Sequence, residues 1–345
     1  MDGDSDNMDG ASDIIDVSPM GDIILVLGPP EEKQLRLKVS STILRSASKV
    51  FDKMFSPPWR ESSRIMSPES PQDIDLPEDD PEVMKTICYA IHHRPDMIPF
   101  DKMSGKEILH AAQAIDKYDL GAAMQLVTDR WLRQQLPAEQ LPAKDPKDLL
   151  YMAAAASVLK NYEAFSRFTW LIMLTHTGNY FRFYEDKLLT DLLPPELLTI
   201  LAERSFKLRT RLLRAAQTVG TGGCGSTCGV WDCLNANAQG WVRAFDFVAG
   251  SKHTILKMIQ ELVPIANLED TYRKGYCRKE FNRGLQDHSQ LLSRQATLYS
   301  KFRNWGQEQT SVCLECLQSG CPTEDTCNHA DAKVDRFPHL DRWYL

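Results

Sequence analysis

The period of the apolar positions changes along the chain, and the changes mark its elements. Ile23-Ile24-Leu25-Val26-Leu27 is an unbroken apolar run fenced by Gly21-Asp22 and Gly28-Pro29-Pro30, the pattern of a buried strand. Leu35-Arg36-Leu37-Lys38-Val39 alternates apolar with basic residues, the period of a half-buried strand. Residues 28–33 between the two are suited to closing a hairpin. The period then lengthens. Ile43, Leu44, Val50, Phe51, Met54 and Phe55 recur at helical spacing around Ser46-Ala47-Ser48, which predicts two short helices. Ile74-Asp75-Leu76 reads as a further short strand.

Helix starts are the clearest local signals. Asp80-Pro81-Glu82 supplies an oxygen for the first free N–H groups, a proline where no N–H is needed, and an acid at the positive end of the dipole. Val83, Met84, Ile87, Cys88 and Ile91 form the apolar face behind it, and Pro95 ends it. Ser104 and Glu107 have capping-box spacing ahead of Ile108, Ala111, Ala112, Ile115 and Tyr118. Met124, Val127 and Trp131 carry the next face, extending toward Leu136.

Residues 137–145 hold prolines and little apolar pattern, and read as a linker. Asp145-Pro146 repeats the capped start, and residues 146–219 are expected to be helical, the last helix opening at Pro194-Pro195-Glu196. Residues 220–345 mix helix-like stretches with Gly- and Cys-rich pieces. No repeat of fixed period is visible.

Charge alters this picture at the front. Asp2, Asp4, Asp6, Asp9, Asp13 and Asp16 precede the first basic residue, Lys33, so residues 1–20 are expected to be a solvated acidic tail. A net charge of −7 disfavours nucleic acid as a partner, because binding phosphate needs a dense basic surface. The start has neither the basic nor the apolar region of a secretory signal, and no apolar run has membrane-spanning length. With no Asn-x-Ser/Thr acceptor present, the expectation is a cytoplasmic or nuclear protein.

The order of elements in residues 21–136 resembles a BTB/POZ domain. Gly21-Asp22 with its apolar run is similar to that family's first strand. Leu37-Lys38-Val39, Ile43-Leu44, Ser48, Val50-Phe51 and Met54-Phe55 resemble its strand and Ser-x-x-Phe-x-x-Met-Phe core. Trp59-Arg60-Glu61 resembles the aromatic-x-acid that follows, Ile74-Asp75-Leu76-Pro77 the next strand, and Ala114-Ile115-Asp116-Lys117-Tyr118-Asp119-Leu120 the Ala-x-Asp-Lys-Tyr-Asp signature. Ser40-Ser41 and Ile91-His92-His93-Arg94 look like the large fungal group of these proteins. Ser40 stands where many relatives carry His, and Lys49 where Pro is common; the long N-terminal helix of many dimeric relatives is not evident.

The resemblance implies an α+β domain with a small sheet, followed here by a mostly α-helical, Cys-rich region, and a non-enzymatic interaction scaffold or adaptor. It implies a homodimer as one assembly and a cullin-type ubiquitin ligase as one partner. Trp59 and Glu61 stand where relatives carry the cullin contact. The alternative for Trp59 is that it packs the edge of its own domain.

The cysteines carry the most distinctive chemistry. Cys224 and Cys228 form one close pair and Cys313 and Cys316 another, and structural zinc takes four such ligands, usually as two pairs. Reduced thiols in irregular loops are the competing reading, with disulfides a third. A zinc-stabilised nuclear regulator is therefore the alternative function. Gly220 and Gly225-Ser226-Thr227 miss the phosphate loop, because Ser226 occupies the place of its lysine. Arg204, Lys207, Arg209, Arg211 and Arg214 read as a solvated helix face, or as a surface for an acidic partner, a membrane surface or the chain's own Asp-rich tail. His92-His93 reads as a solvated helix end, and no catalytic motif stands out.

Overall fold

The computed structural model describes residues 14–56, 67–100, 102–133, 145–220 (backbone only beyond Thr210), 254–255 and 312–319. The chain divides into two compact units. One holds the described residues up to 133 with Val158–Lys160, and the other holds the rest from 145 onward. A small mixed sheet lies in the first, and the described chain is mostly helical overall.

In the N-terminal unit four strands, β1 (Ile14–Asp16), β2 (Ile23–Leu27), β3 (Leu35–Val39) and β4 (Gln72–Leu76), stand in the order β1-β3-β2-β4. β2 and β3 form the antiparallel hairpin, with Leu25 opposite Leu37. β2 also pairs parallel with β4, and β3 parallel with β1. Every residue of β2 is buried, which explains its unbroken apolar run: a strand covered on both faces has no use for alternation. β3 and β4 do alternate, burying Leu37, Val39, Ile74 and Leu76. Arg36 of β3 and Asp73 of β4 pair at 2.8 Å across the intervening strand. Two glycines serve the hairpin's ends. Gly28 sits at φ +91, where a side chain is strained, and a Cβ at Gly21 would lie 2.8 Å from Lys38 Cγ.

β1 corrects the expectation for residues 1–20, at least for its last part. Ile14–Asp16 joins the sheet and Val17 behind it is 2% exposed. Acids flank this short apolar stretch, but pairing with β3 satisfies its backbone while Val17 reaches the core. Residues 1–13 lie outside the described part.

Helices α1 (Ser41–Ala47), α2 (Lys49–Met54), α3 (Pro81–Ile91), α4 (Gly105–Lys117) and α5 (Gly121–Leu132) complete the unit. The local signals operate as expected. Asp80 accepts from Glu82 and Val83 N–H, and Ser104 and Glu107 exchange both bonds of the capping box. α3 is the hub: seven of its eleven residues are buried, and it packs against α4, α5, α1 and β3. Met84 and Ile87 of α3 are fully buried, as are Leu44, Phe51, Ile108 and Trp131 elsewhere in the unit. Each is worth about 1.5–3 kcal/mol against exposure.

In the C-terminal unit, α6 (Pro146–Val158), α7 (Tyr162–Thr175), α8 (Lys187–Leu192), α9 (Glu196–Gly220) and a short helix, α10 (Leu314–Gln318), are described, with a 3-10 segment at Tyr180–Glu185. Leu149–Ala156 of α6 is buried without interruption, as is all of α7 from Ala164 to Thr175 except Arg167. A helix apolar all round belongs inside a core. α9 and α10 both pack on α7. Leu197, Leu201 and Leu208 of α9 turn inward, whereas Phe206 is 70% exposed. Of the basic stripe, Lys207 is exposed, and Arg204 and Arg209 are half-buried. Among the described residues, no helix is long and apolar enough to cross a membrane.

Candidate functional site

A clasp of polar and aromatic contacts joins four segments of the N-terminal unit. Ser48 lies between α1 and α2, and its Oγ accepts from the N–H groups of Val50 and Phe51, starting α2. The same hydroxyl donates to the Tyr118 carbonyl at 2.5 Å, seventy residues away. The Tyr118 ring stacks on Phe51 with centroids 4.5 Å apart, and Phe51 stacks on Phe55. Beyond the ring, the Tyr118 hydroxyl donates to Asp79 Oδ2 at 2.5 Å, and Lys117 Nζ meets Asp79 Oδ1 at 2.8 Å. Burial and the Asp79 carboxylate both push the Tyr118 phenol up, so it stays a donor. Asp79 is 8% exposed. Its ion pair with Lys117 and its hydrogen bond from Tyr118 offset the cost of taking a carboxylate out of water.

A second set anchors the start of α1. Ser40 makes no capping bond with its own side chain; help comes from elsewhere. Asp22, just ahead of β2, accepts from Ser41 N–H at 2.7 Å and from the Ser41 hydroxyl at 2.6 Å. His92, at the end of α3, takes the Ser40 N–H on Nε2 at 3.0 Å, and its Nδ1 lies 2.8 Å from the Cys88 carbonyl. A carbonyl can only accept, so Nδ1 carries the proton and Nε2 is bare. Burial holds this imidazole below the usual histidine range. The solvated helix end expected for His92 is thus corrected: the ring is 8% exposed and bridges two segments. The turn that follows, with His93 at φ 57, leads the chain away. Cys88 beside it is fully buried, and burial pushes its thiol up to about 12, so it packs as an apolar group.

The outer surface of this unit is apolar in places. Leu126 of α5 is 85% exposed beside Ala122 and Ala123, which are also exposed, and Met97 is 46% exposed. Trp59 and Glu61, the expected partner contacts, lie outside the described residues.

The C-terminal unit has its own polar clasp. Asp186 caps α8 through Leu188 N–H, accepts from Tyr151 Oη at 2.5 Å and pairs with Lys147 Nζ at 2.6 Å. Burial alone would raise this carboxyl, but the Lys147 and Tyr151 contacts outweigh it and hold it at about 2. His176, at the end of α7, is 3% exposed and packs against the rings of Tyr180 and Phe183. Burial, then the nearby Arg182 charge, lower its proton affinity.

Of the four cysteines expected as metal ligands, Cys313 and Cys316 are described, and Cys224 and Cys228 lie outside. Cys313 stands just ahead of α10 and Cys316 within its first turn, both buried and neither in a disulfide. Among the described residues, no group of three or more His, Cys, Asp or Glu is placed to hold a metal. The glycine-rich loop at 220–229 is likewise outside.

Sequence reasoning named Tyr118, Ser48, Phe51 and Asp22 for their pattern but assigned them no contacts, and it missed Asp79 and misread His92. A polar residue at an element's edge was the available signal for both. Comparison of the chain with protein-family models and with curated proteins finds no match.

Proposed function

We propose that this chain is a non-enzymatic protein-interaction scaffold whose N-terminal α+β unit is a BTB/POZ-type domain. One observation carries the reading. The segments on which the resemblance rests meet in two sets of contacts: Asp22 before β2 with Ser41 at the start of α1, and Ser48, Phe51 and Phe55 with Tyr118 at the end of α4. Residues scattered over about a hundred positions for unrelated reasons would not be expected to meet in such sets.

In this reading the buried polar groups serve the fold, and the outer faces serve binding. Leu126 is an exposed apolar anchor of the kind that concentrates binding energy in a few residues. A cullin-type ligase is the partner class implied by Trp59 and Glu61, and a homodimer is the self-assembly it implies.

The test uses the purified full chain. Light scattering reads its mass, and titration calorimetry reads its affinity for a cullin. The adaptor form predicts one cullin per protomer, with Trp59→Ala weakening binding about tenfold or more. A monomer that neither binds a cullin nor self-associates would overturn the reading.

A further inference from the structure

We propose that Ser70, in the turn ahead of β4, is a phosphorylation site for a proline-directed serine/threonine protein kinase. The claim is independent of the scaffold reading. Ser18-Pro19, Ser67-Pro68 and Ser70-Pro71 all lie within the described residues. Proline disfavours helical backbone in the residue before it and leaves that residue extended, the shape in which a peptide lies along a kinase cleft. By sequence the three serines are equivalent. The fold separates them.

Ser18 is tied into the sheet. It is half-buried, its N–H donates to the Lys38 carbonyl of β3 at 3.2 Å, and its carbonyl accepts from Gly21 N–H at 2.8 Å. Val17 beside it is 2% exposed, so presenting Ser18 means unzipping β1. Ser67 is also half-buried, and its hydroxyl serves the turn: it accepts from Ser70 N–H at 3.3 Å and donates to the Glu69 carboxylate. Ser70 is exposed. Its N–H closes the turn on the Ser67 carbonyl at 3.1 Å, and its carbonyl accepts from Gln72 Nε2 at 3.3 Å, which leaves its hydroxyl outside the turn's bonds. Pro71 has no N–H to give, and the next backbone donor, Gln72 N–H, is the one that holds the sheet, 3.2 Å from the Asp22 carbonyl. Opening residues 67–71 therefore costs one local turn and leaves β4 in place, as befits a segment of low local stability.

The phosphoryl donor is magnesium-bound ATP in the kinase. Ser70 Oγ attacks the γ-phosphorus, a new O–P bond forms, and the bond from that phosphorus to the β,γ-bridging oxygen breaks. ADP leaves with the electron pair, and the hydroxyl proton passes to the kinase's catalytic carboxylate. The product carries about −1.5 to −2 of added charge at neutral pH. That charge arrives beside Glu69 and just ahead of the exposed Asp73 and Asp75 of β4. Lys38, whose charge acts on Glu69 and whose ammonium lies 3.5 Å from the Pro19 carbonyl, is a cation at the same end of the sheet.

The experiment incubates the folded full chain with ATP and a purified mitogen-activated protein kinase, then maps phosphate by peptide mass and fragment ions over time. A tryptic digest of the same chain, in which each serine is free of the fold, is treated in parallel. The digest should accept phosphate at both Ser18 and Ser70, whereas the folded chain should accept it at Ser70 about tenfold or more faster than at Ser18. Ser70→Ala should remove the folded-state product, and Pro71→Ala, which keeps the serine, should slow it by a similar factor. Circular dichroism checks that both variants keep the fold, which an exposed turn permits. The proposal is overturned if Ser70 stays unmodified in the folded chain or in the digest. It is equally overturned if the folded chain takes phosphate at Ser67 or Ser18 as readily as at Ser70, or if Pro71→Ala leaves the rate unchanged.

Discussion

In the N-terminal unit polar bonds reach between distant segments around an apolar core, whereas helices α6 and α7 of the C-terminal unit are held by apolar side chains on almost every side. Ser48 reaches Tyr118, Asp22 reaches Ser41 and His92 reaches Ser40, each across a long stretch of chain. In α7, by contrast, Phe165, Phe168, Ile172 and Met173 are buried with little polar help, and Asn161 caps the helix locally. Short strands and short helices explain the difference. Helices such as α1 and α2 have a large share of unsatisfied end groups, so they borrow partners from elsewhere. Long helices satisfy most of their backbone internally and are fixed by burial.

The comparison can be broken from its apolar side first, where the effect is largest. Phe51→Ala removes a fully buried ring that stacks on Phe55 and Tyr118, and Phe168→Ala removes one that is 1% exposed. Both should cost about 3–5 kcal/mol in urea denaturation; apolar burial matters in both units, so a large inequality would challenge this account. The polar side discriminates more finely. Asp79→Ala leaves the buried Tyr118 hydroxyl without its acceptor and should cost about 2–3 kcal/mol. Asp186→Ala removes a more accessible clasp and should cost about 1–2 kcal/mol. The reverse order would show that the C-terminal unit leans on polar contacts more heavily.

pH offers a smaller effect with a definite sign. His92 and His176 are buried as neutral rings with lowered proton affinity, so the unfolded chain binds more protons than the folded one. Their contribution is complete above about pH 6.5, the unfolded value, and is lost as pH falls toward the lowered folded values. Denaturation midpoints should therefore fall between about pH 7 and pH 5, and His92→Gln should flatten part of that slope. A slope unchanged in the variant would remove His92 from the explanation. Asp186 acts at lower pH: with its carboxyl held at about 2, its contribution is present above the unfolded value and lost as pH falls through the folded one. The smallest effect belongs to the surface. Lys49 and Asp119 meet at 3.8 Å with side chains 88% and 58% exposed, and Lys49→Ala should change stability by less than about 0.5 kcal/mol.

Much of the candidate module was readable before any tertiary contact was known, but only where the cause is local. Asp80-Pro81 and the Ser104–Glu107 pair announce their helices because donor and acceptor lie within one turn. The bonds from Ser48 to Tyr118 and from His92 to Ser40 have no counterpart in spacing. Phe206 shows the same limit: it lies two positions from the buried Leu208 in one helix, yet it is 70% exposed.

The order of amino acids by itself set where the hairpin β2–β3 and helices such as α3 and α4 form, because caps, turns and hydrophobic period act over a few residues. Tertiary structure alone decided that Ile14–Asp16 joins the sheet, that His92 is buried and neutral, and that Asp79 meets both Lys117 and Tyr118. Those outcomes depend on which surfaces meet after collapse, and a polar side chain carries no mark of the partner that folding will bring to it.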